Sequence, residues 1–574
     1  MNNRPSYDDA QRLLAVARGQ EKAPLVLKNA RVLNVFTGEF LEQDVALCGD
    51  RIAGLGSYQG VEEVDLSGMT VTPGFIDGHM HLESSMMTPR QFARAVVPRG
   101  TTSVVTDPHE IANVLGIPGV RFLLDSAVGL PLDMWVMRSS CVPATHLENA
   151  GASLTAADLA ELHHPKLLGL AEMMNFPGLL HGDPECLKKV LQTGDQPVDG
   201  HSPGLSGQAL CAYVAAGVQS DHECTTASEA REKLRLGMHI MLREGSVTRD
   251  IEALLPAVDE VNAHRCFFVT DDREPLDLLR EGHIDFCIRK AIRLGCPVAR
   301  AYTMASYHAA RYFQLHFQGA IAPGYTADLV VLSDLQEVRV ERVMKGGQWV
   351  AEAGRLLGPD QSSRVNPPAP TVHLPPLSAS SFDILNDSDH VHVIELIPHK
   401  IVTGRSTARV PRTDGKLQAD TSQDVLKLAV VERHRATGNI GLGFVRGFGL
   451  KKGAIASTVA HDSHNLVIAG CSDEDMLVAA REVARLEGGW VVVADGQVLA
   501  ALPLPIAGLL SDQELEKVAQ LNLDLIEATQ KLGGTAPNPF MSLSFLALPV
   551  IPSLKLTDLG LVDVDQFALV GLSA

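Results

Sequence analysis

Two histidines one residue apart, His79 and His81, follow the apolar run Val71-Thr72-Pro73-Gly74-Phe75-Ile76-Asp77. On a strand, side chains two positions apart share a face, so both imidazoles can converge on one point. One metal ion could hold both there. A pair of hydrogen-bonded histidines at a surface turn fits the spacing equally, because two ligands do not complete a site. Four further residues show the same arrangement of apolar run, ligand-type side chain and loop. Glu172 ends Leu167-Leu168-Gly169-Leu170-Ala171, His201 follows Pro197-Val198-Asp199-Gly200, His222 follows Val218-Gln219-Ser220-Asp221, and Asp271 ends Phe267-Phe268-Val269-Thr270. Each alone is explained by an ordinary hydrogen bond or a helix cap. Together with His79 and His81 they offer nitrogen and oxygen donors for two divalent ions, with no thiolate. Glu172, having two oxygens, could bridge the pair. Such a site points to hydrolysis by metal-activated water.

A secondary group, Glu83, Asp107, His109 and Glu110, could line the pocket, protonate a substrate ring or bind a further ion. A helix-capping turn at Asp107-Pro108 accounts for Asp107 and Glu110 as well. Arg243, Glu244 and Ser246 follow the run Met238–Leu242 and could supply substrate hydrogen bonds; an exposed salt-bridged pair is the alternative. His461 and His464 lie in a Ser/Thr/Asp-rich segment of the C-terminal unit; a loop from that unit closing over the barrel would bring them near a substrate, and two surface-loop histidines are the simpler reading.

The elements that must position these residues can be traced along the chain. Residues 71–320 alternate short apolar runs with helical segments, the rhythm of β/α units on a parallel sheet. Their span suits an eight-stranded (β/α)8 barrel, whose chemistry sits at the C-terminal ends of its strands. Residues 1–70 and 321–357 have the texture of small antiparallel strands and are expected to form one β-sandwich from both flanks. A Pro- and Ser-rich linker is expected over 358–380, and a separate α/β domain over 381–574, with helices at 424–436, 474–486 and 512–532. The fold class is therefore α/β, a TIM-like barrel with two accessory domains.

Composition limits the function classes. A chain of 574 residues exceeds one core, and its 45% apolar and 20% charged residues suit a globular protein. The 49 basic against 68 acidic residues give a net charge of -19, which disfavours nucleic acid and anionic membranes as partners. The 9 cysteines are scattered, never as CxxC, so neither a disulfide framework nor a zinc ribbon is expected. Without a signal-peptide-like start or a long apolar run, a cytoplasmic setting is the expectation.

At the level of motifs, Pro73-Gly74-Phe75-Ile76-Asp77-Gly78-His79-Met80-His81 resembles the opening motif of the amidohydrolase superfamily, and Gly319 to Val330 resembles its return into the β-sandwich. That superfamily carries HxH after the first strand, a bridging acid or lysine after the fourth, histidines after the fifth and sixth, and Asp after the eighth. Here Glu172 takes the place of the carboxylated lysine of many binuclear members; Lys166 lies at the wrong end of its run. Over nearly its whole length the chain is similar to the bacterial adenine deaminases. The segments His79–Met86, Asp107–Val114, Ala171–Asn175, Ala460–Asn465 and Pro539–Pro552 carry the likeness. The resemblance implies a small-molecule substrate, adenine, hydrolysed to hypoxanthine and ammonia in purine salvage by hydroxide at a binuclear centre. It implies manganese or iron, with zinc as a further option, Asp271 as proton shuttle and Glu172 as bridge. A homo-oligomer, by default a dimer, is the expected assembly. An amidohydrolase for another aminated heterocycle or a cyclic amide remains the alternative, and a non-catalytic metal-binding scaffold the third.

Overall fold

Apolar runs too short for helices and buried at every position set the central architecture; Leu167–Met173 is one. Such runs become parallel strands covered on both faces. In the computed structural model, which describes residues 6–358, 365–398 and 400–574, these are β1 Phe75–Met80, β2 Thr101–Thr106, β3 Asp133–Arg138, β4 Leu167–Met173, β5 Val198–Gly200, β6 Ser220–Asp221, β7 His239–Arg243 and β8 Cys266–Val269. They pair in parallel as a five-stranded ribbon, β1 to β5, and a three-stranded ribbon, β6 to β8. Backbone bonds join the ribbons at both seams, from Gln219 N–H to Val198 O (2.9 Å) and from Asp271 N–H to His79 O (3.0 Å). The (β/α)8 barrel closes as expected.

Asp77 secures the β1/β8 seam. Its Oδ1 accepts from the backbone N–H groups of His79 (3.2 Å) and Thr270 (3.2 Å). Its Oδ2 accepts from the Thr270 hydroxyl (2.5 Å) and faces His283 Nε2 at 2.9 Å. The next residue is glycine for lack of room, since a Cβ on Gly78 would lie 2.4 Å from the Phe267 ring.

Strands from both flanks of the barrel form one nine-stranded sheet. Leu329–Asp334, from the C-terminal flank, pairs antiparallel with Thr70–Pro73, from the N-terminal flank. Val32, Ile52, Val71, Leu329, Val331 and Met344 share one core, and Ile52 N–H closes the sheet onto Tyr325 O (2.9 Å). A helix at Tyr7–Ala17, with Ser6 as its N-cap, precedes the strands and has no counterpart in the sequence reading.

Part of the expected linker, 359–364, lies outside the described residues. Beyond it, Leu374 and Leu377 already pack against the C-terminal core. That core is an eight-stranded sheet in the order Thr403–Arg409, His390–Leu396, Ile440–Arg446, Val425–Val431, Leu466–Gly470, Ala454–Ser457, Gly489–Ala494, Gln497–Pro503. The helix Asp473–Arg485 covers one face. The other face, with Trp490 and Val492, shares a continuous core with Phe540 and Met541 and with barrel residues such as Leu82 and Met86. The helix expected at 424–436 is instead the strand Val425–Val431, buried at all its positions in mid-sheet. Pairing on both sides with Ile440–Arg446 and Leu466–Gly470 decides for the strand. Helices near the other two expected positions are present, Asp473–Arg485 and Leu515–Lys531. The cysteines are free thiols. Among the described residues no helix is long and apolar enough to cross a membrane.

Candidate metal centre

Barrel geometry brings all six strand-end residues to one mouth. His79 occupies the last turn of pleat in β1 and His81 lies just past it; Glu172 sits in β4, His201 follows β5, His222 follows β6 and Asp271 lies just beyond β8. All six are buried. Glu172 divides its oxygens between two groups of imidazoles. Its Oε1 lies 3.3 Å from His81 Nε2, 3.9 Å from His79 Nε2 and 3.6 Å from His109 Nδ1. Its Oε2 lies 2.6 Å from His201 Nδ1 and 3.2 Å from His222 Nε2. Asp271 Oδ1 faces the first group, 3.1 Å from His81 Nε2 and 3.5 Å from His79 Nε2, while its Oδ2 accepts from Arg243 (2.9 Å).

The electrostatics follow from this crowding. Burial would raise both carboxylates, yet His222 and His201 hold Glu172 well below the usual range, and His79, His81 and Arg243 do the same for Asp271. Against the same burial, Asp271 and Glu172 draw His81 well up, and Glu172 draws His222 to about 9. His79 alone is lowered, by burial and by His222 beside it. The mouth thus carries carboxylate charge that pulls protons onto its imidazoles, a demand that a divalent cation meets equally.

Donor geometry agrees with that. Ligand-type atoms lie within 4.8 Å of one another in the sets His79–His81–Asp271, His79–Glu172–His222, His81–His109–Glu172 and His201–His222–Glu223. His79 Nε2, His201 Nε2 and His222 Nδ1 are buried with no hydrogen-bond partner. Buried polar atoms in native proteins are rarely left so. No thiol belongs to any of these sets.

The secondary candidates separate. His109 joins the centre, its Nδ1 also 3.1 Å from Asp107 Oδ2. Asp107 Oδ1 accepts from His109 N–H (3.0 Å), so the same carboxylate opens the helix His109–Leu115. Glu83 caps that helix from outside through Ile111 N–H (3.0 Å); burial and the nearby Glu110 push its pKa up to about 8. Arg243 is 1% exposed, too buried for the surface pair considered from sequence. It bonds Asp271, Asp250 (3.1 Å) and Glu223, and so fixes the outer oxygen of Asp271. Glu244 turns away to Lys290 (2.7 Å), and the Ser246 hydroxyl donates to Asp277 (2.5 Å); neither lines the central cavity.

That cavity is lined by His81, His109, Glu172, His201, His222 and Asp271 on one side, and on the other by Ile401, His461, Asp462, Phe545, Leu548 and Ile551 from the C-terminal domain. His461 and His464 are 3% and 0% exposed, so the surface-loop reading of this pair is overturned. Strong anchors hold the domain in place: Asn149 N–H and side-chain amide donate to Asp558 (2.9 and 2.6 Å), and the Asn465 amide donates to Asn149 O (2.8 Å). Sequence reasoning missed Glu223, Asp272 and Asp462. Each adjoins a residue it did single out, and that adjacency was the available signal.

Comparison with known proteins locates the chain. An amidohydrolase family model matches residues 70–350, and one for the adenine deaminase C-terminal domain matches residues 400–568. The adenine deaminase 2 of Carboxydothermus hydrogenoformans is 53% identical over 564 residues, covering 98% of this chain and 99% of that one. The chain belongs to the adenine deaminase family. A second member of that family, from Desulfatibacillum aliphaticivorans, is 49% identical over 98% of this chain and 99% of its own. The structure of a β-aspartyl dipeptidase from Fervidobacterium islandicum gives a TM-score of 0.45 at 16% identity, covering 59% of this chain and 100% of that one. In this adenine deaminase family member, as an amidohydrolase, the histidine and carboxylate groups of the barrel mouth are candidate metal ligands.

Proposed function

We propose that this chain hydrolyses adenine to hypoxanthine and ammonia at two divalent ions, held by His79, His81 and Asp271 on one side of Glu172 and by His201 and His222 on the other. The observation that carries the reading is the division of the Glu172 oxygens between two groups of imidazoles. Relatives named adenine deaminase, matched over nearly their whole length, supply the substrate. Nitrogen and oxygen donors without a thiolate suit manganese or iron, and admit zinc.

Bound there, divalent ions bring the pKa of water to about 7 and so supply a nucleophile at neutral pH. The chain's own groups do the rest. Asp271 stands against the imidazoles with one oxygen and is pinned by Arg243 at the other, which supports its reading as the carboxylate that takes a proton from water and returns it to the departing amine. His109 and His461 border the space left for the ring. The walls from Phe545, Leu548 and Ile551 exclude bulk water, which strengthens every charge inside. We further propose a cytoplasmic role in purine salvage, carried out by a homodimer.

The test is metal content measured together with ammonia release from adenine, before and after chelation. Two ions per chain and a chelator-sensitive, metal-restored release of ammonia are expected. Full turnover after both ions have been removed would sink the reading.

A further inference from the structure

His461 and Asp462 are polar residues that the C-terminal domain presents to the cavity, each with a buried atom that has no hydrogen-bond partner, and His461 is the one that can donate. Its ring stacks on Phe545, centroids 4.4 Å apart and planes 10° off parallel. Its backbone N–H donates to the Ser544 hydroxyl (3.3 Å), and the loop that bears it closes with His464 N–H donating to Ala460 O (2.7 Å). Nδ1 lies 3.1 Å from Glu110 Oε1 and 3.9 Å from Asp462 Oδ1. Ring plane and one edge are thus fixed by neighbours. The other edge is not: Nε2 is buried without a hydrogen-bond partner, and the nearest carboxylate oxygen, Asp272 Oδ1, is 4.0 Å away and accepts from Ser84.

We propose that His461 Nε2–H donates a hydrogen bond to a ring nitrogen of the purine, so that the C-terminal domain reads the base while the barrel carries out the chemistry. This rests on the proposed adenine reading. Carboxylates stand at both edges of the imidazole, from Glu110, Asp462 and Asp272, a setting that keeps protons on both nitrogens and makes Nε2 a donor. Adenine offers unprotonated ring nitrogens as acceptors, and a buried donor left without one is strongly unfavourable. The flat stack of His461 on Phe545 holds the N–H direction fixed, so the bond is preorganised rather than formed by induced fit.

The experiment compares wild type, His461→Ala and His461→Gln as metal-loaded full chains, reading KM, kcat, metal content and the affinities of adenine, 3-deazaadenine and 7-deazaadenine by calorimetry. A lost hydrogen bond from a charged donor corresponds to about a 10- to 100-fold loss of affinity. His461→Ala is expected to weaken adenine by that factor, with a matching rise in KM, and His461→Gln, whose amide reaches the Nε2 position, to recover part of it. One deaza analogue should bind wild type more weakly by a similar factor and be indifferent to the substitution. Two ions per chain should remain in both variants. Equal weakening of all three ligands would overturn the proposal in favour of a packing role. Loss of a metal equivalent in the variants would overturn it in favour of an ion held between Glu110, Asp272 and His461. If wild type binds adenine without deaminating it, the proposed function fails while the affinity comparison still decides on His461. Absence of adenine binding by wild type overturns both.

Discussion

At the scale of single residues, the site is a problem of charge. Asp271 is shared between two imidazoles and a buried guanidinium, and its proposed role as proton carrier falls to the oxygen that faces the imidazoles, the other being held by Arg243. Asp271→Asn preserves size and hydrogen-bonding capacity but removes the basic site. It is expected to leave the far-ultraviolet circular dichroism and melting behaviour near wild type, and to lower kcat by about 100- to 10,000-fold. Near-normal turnover in that variant would remove Asp271 from the mechanism. Glu172→Ala takes both oxygens from between the imidazole groups, so metal content per chain, measured by atomic emission, is expected to fall for both ions together. Residues of this kind were legible in the sequence because each closes an apolar run, and strand ends converge in a barrel. Glu223 and Asp272 were not, because an acid one position beyond a candidate ligand has the same local signature as a helix cap. Only the fold distinguishes them.

At the scale of elements, position is set by how β1 meets β8. Asp77 joins the two strands through two bonds from Thr270 and is itself braced by His79 N–H and His283, and Gly78 leaves room for the Phe267 ring between them. Gly78→Ala is expected to cost about 1–3 kcal/mol through overpacking, and to lower activity beyond that cost because His79 must shift with its strand. Chemical denaturation and kcat/KM measured on one preparation check both parts. A substitution that leaves stability and activity unchanged would show that the seam adapts. The barrel itself could be read from the spacing of its apolar runs. The segment Val425–Val431 could not, since a short apolar stretch fits a buried strand and a buried helix alike. Its neighbours at Ile440–Arg446 and Leu466–Gly470 decide the matter.

At the scale of the whole molecule, the C-terminal domain closes the candidate active site, which the sequence offered only as the less simple reading of His461, because Glu110 and His461 are separated by most of the chain. The wall that closes it is braced from within by a buried amine. Lys555 Nζ donates to Ile401 O (3.0 Å) and Phe545 O (2.9 Å), so it ties together two segments that line the cavity. Burial lowers its pKa to about 7, from 10.5. Between those values the unfolded chain binds more protons than the folded one, so this group makes stability rise with pH across that window. Denaturation at about pH 7 and about pH 9.5 is expected to show an increment in wild type that Lys555→Met lacks. An equal increment in both would assign the pH dependence elsewhere.

The shared wall of the cavity also separates two kinds of inheritance. The candidate metal ligands at the barrel mouth all belong to the barrel, whereas the aromatic and aliphatic surface facing them belongs to the domain that follows. Substitutions at Phe545, Leu548 or Ile551 can therefore alter which heterocycle is admitted without touching any group that handles charge. A lineage could retune its diet through the second domain while its reaction stays the same.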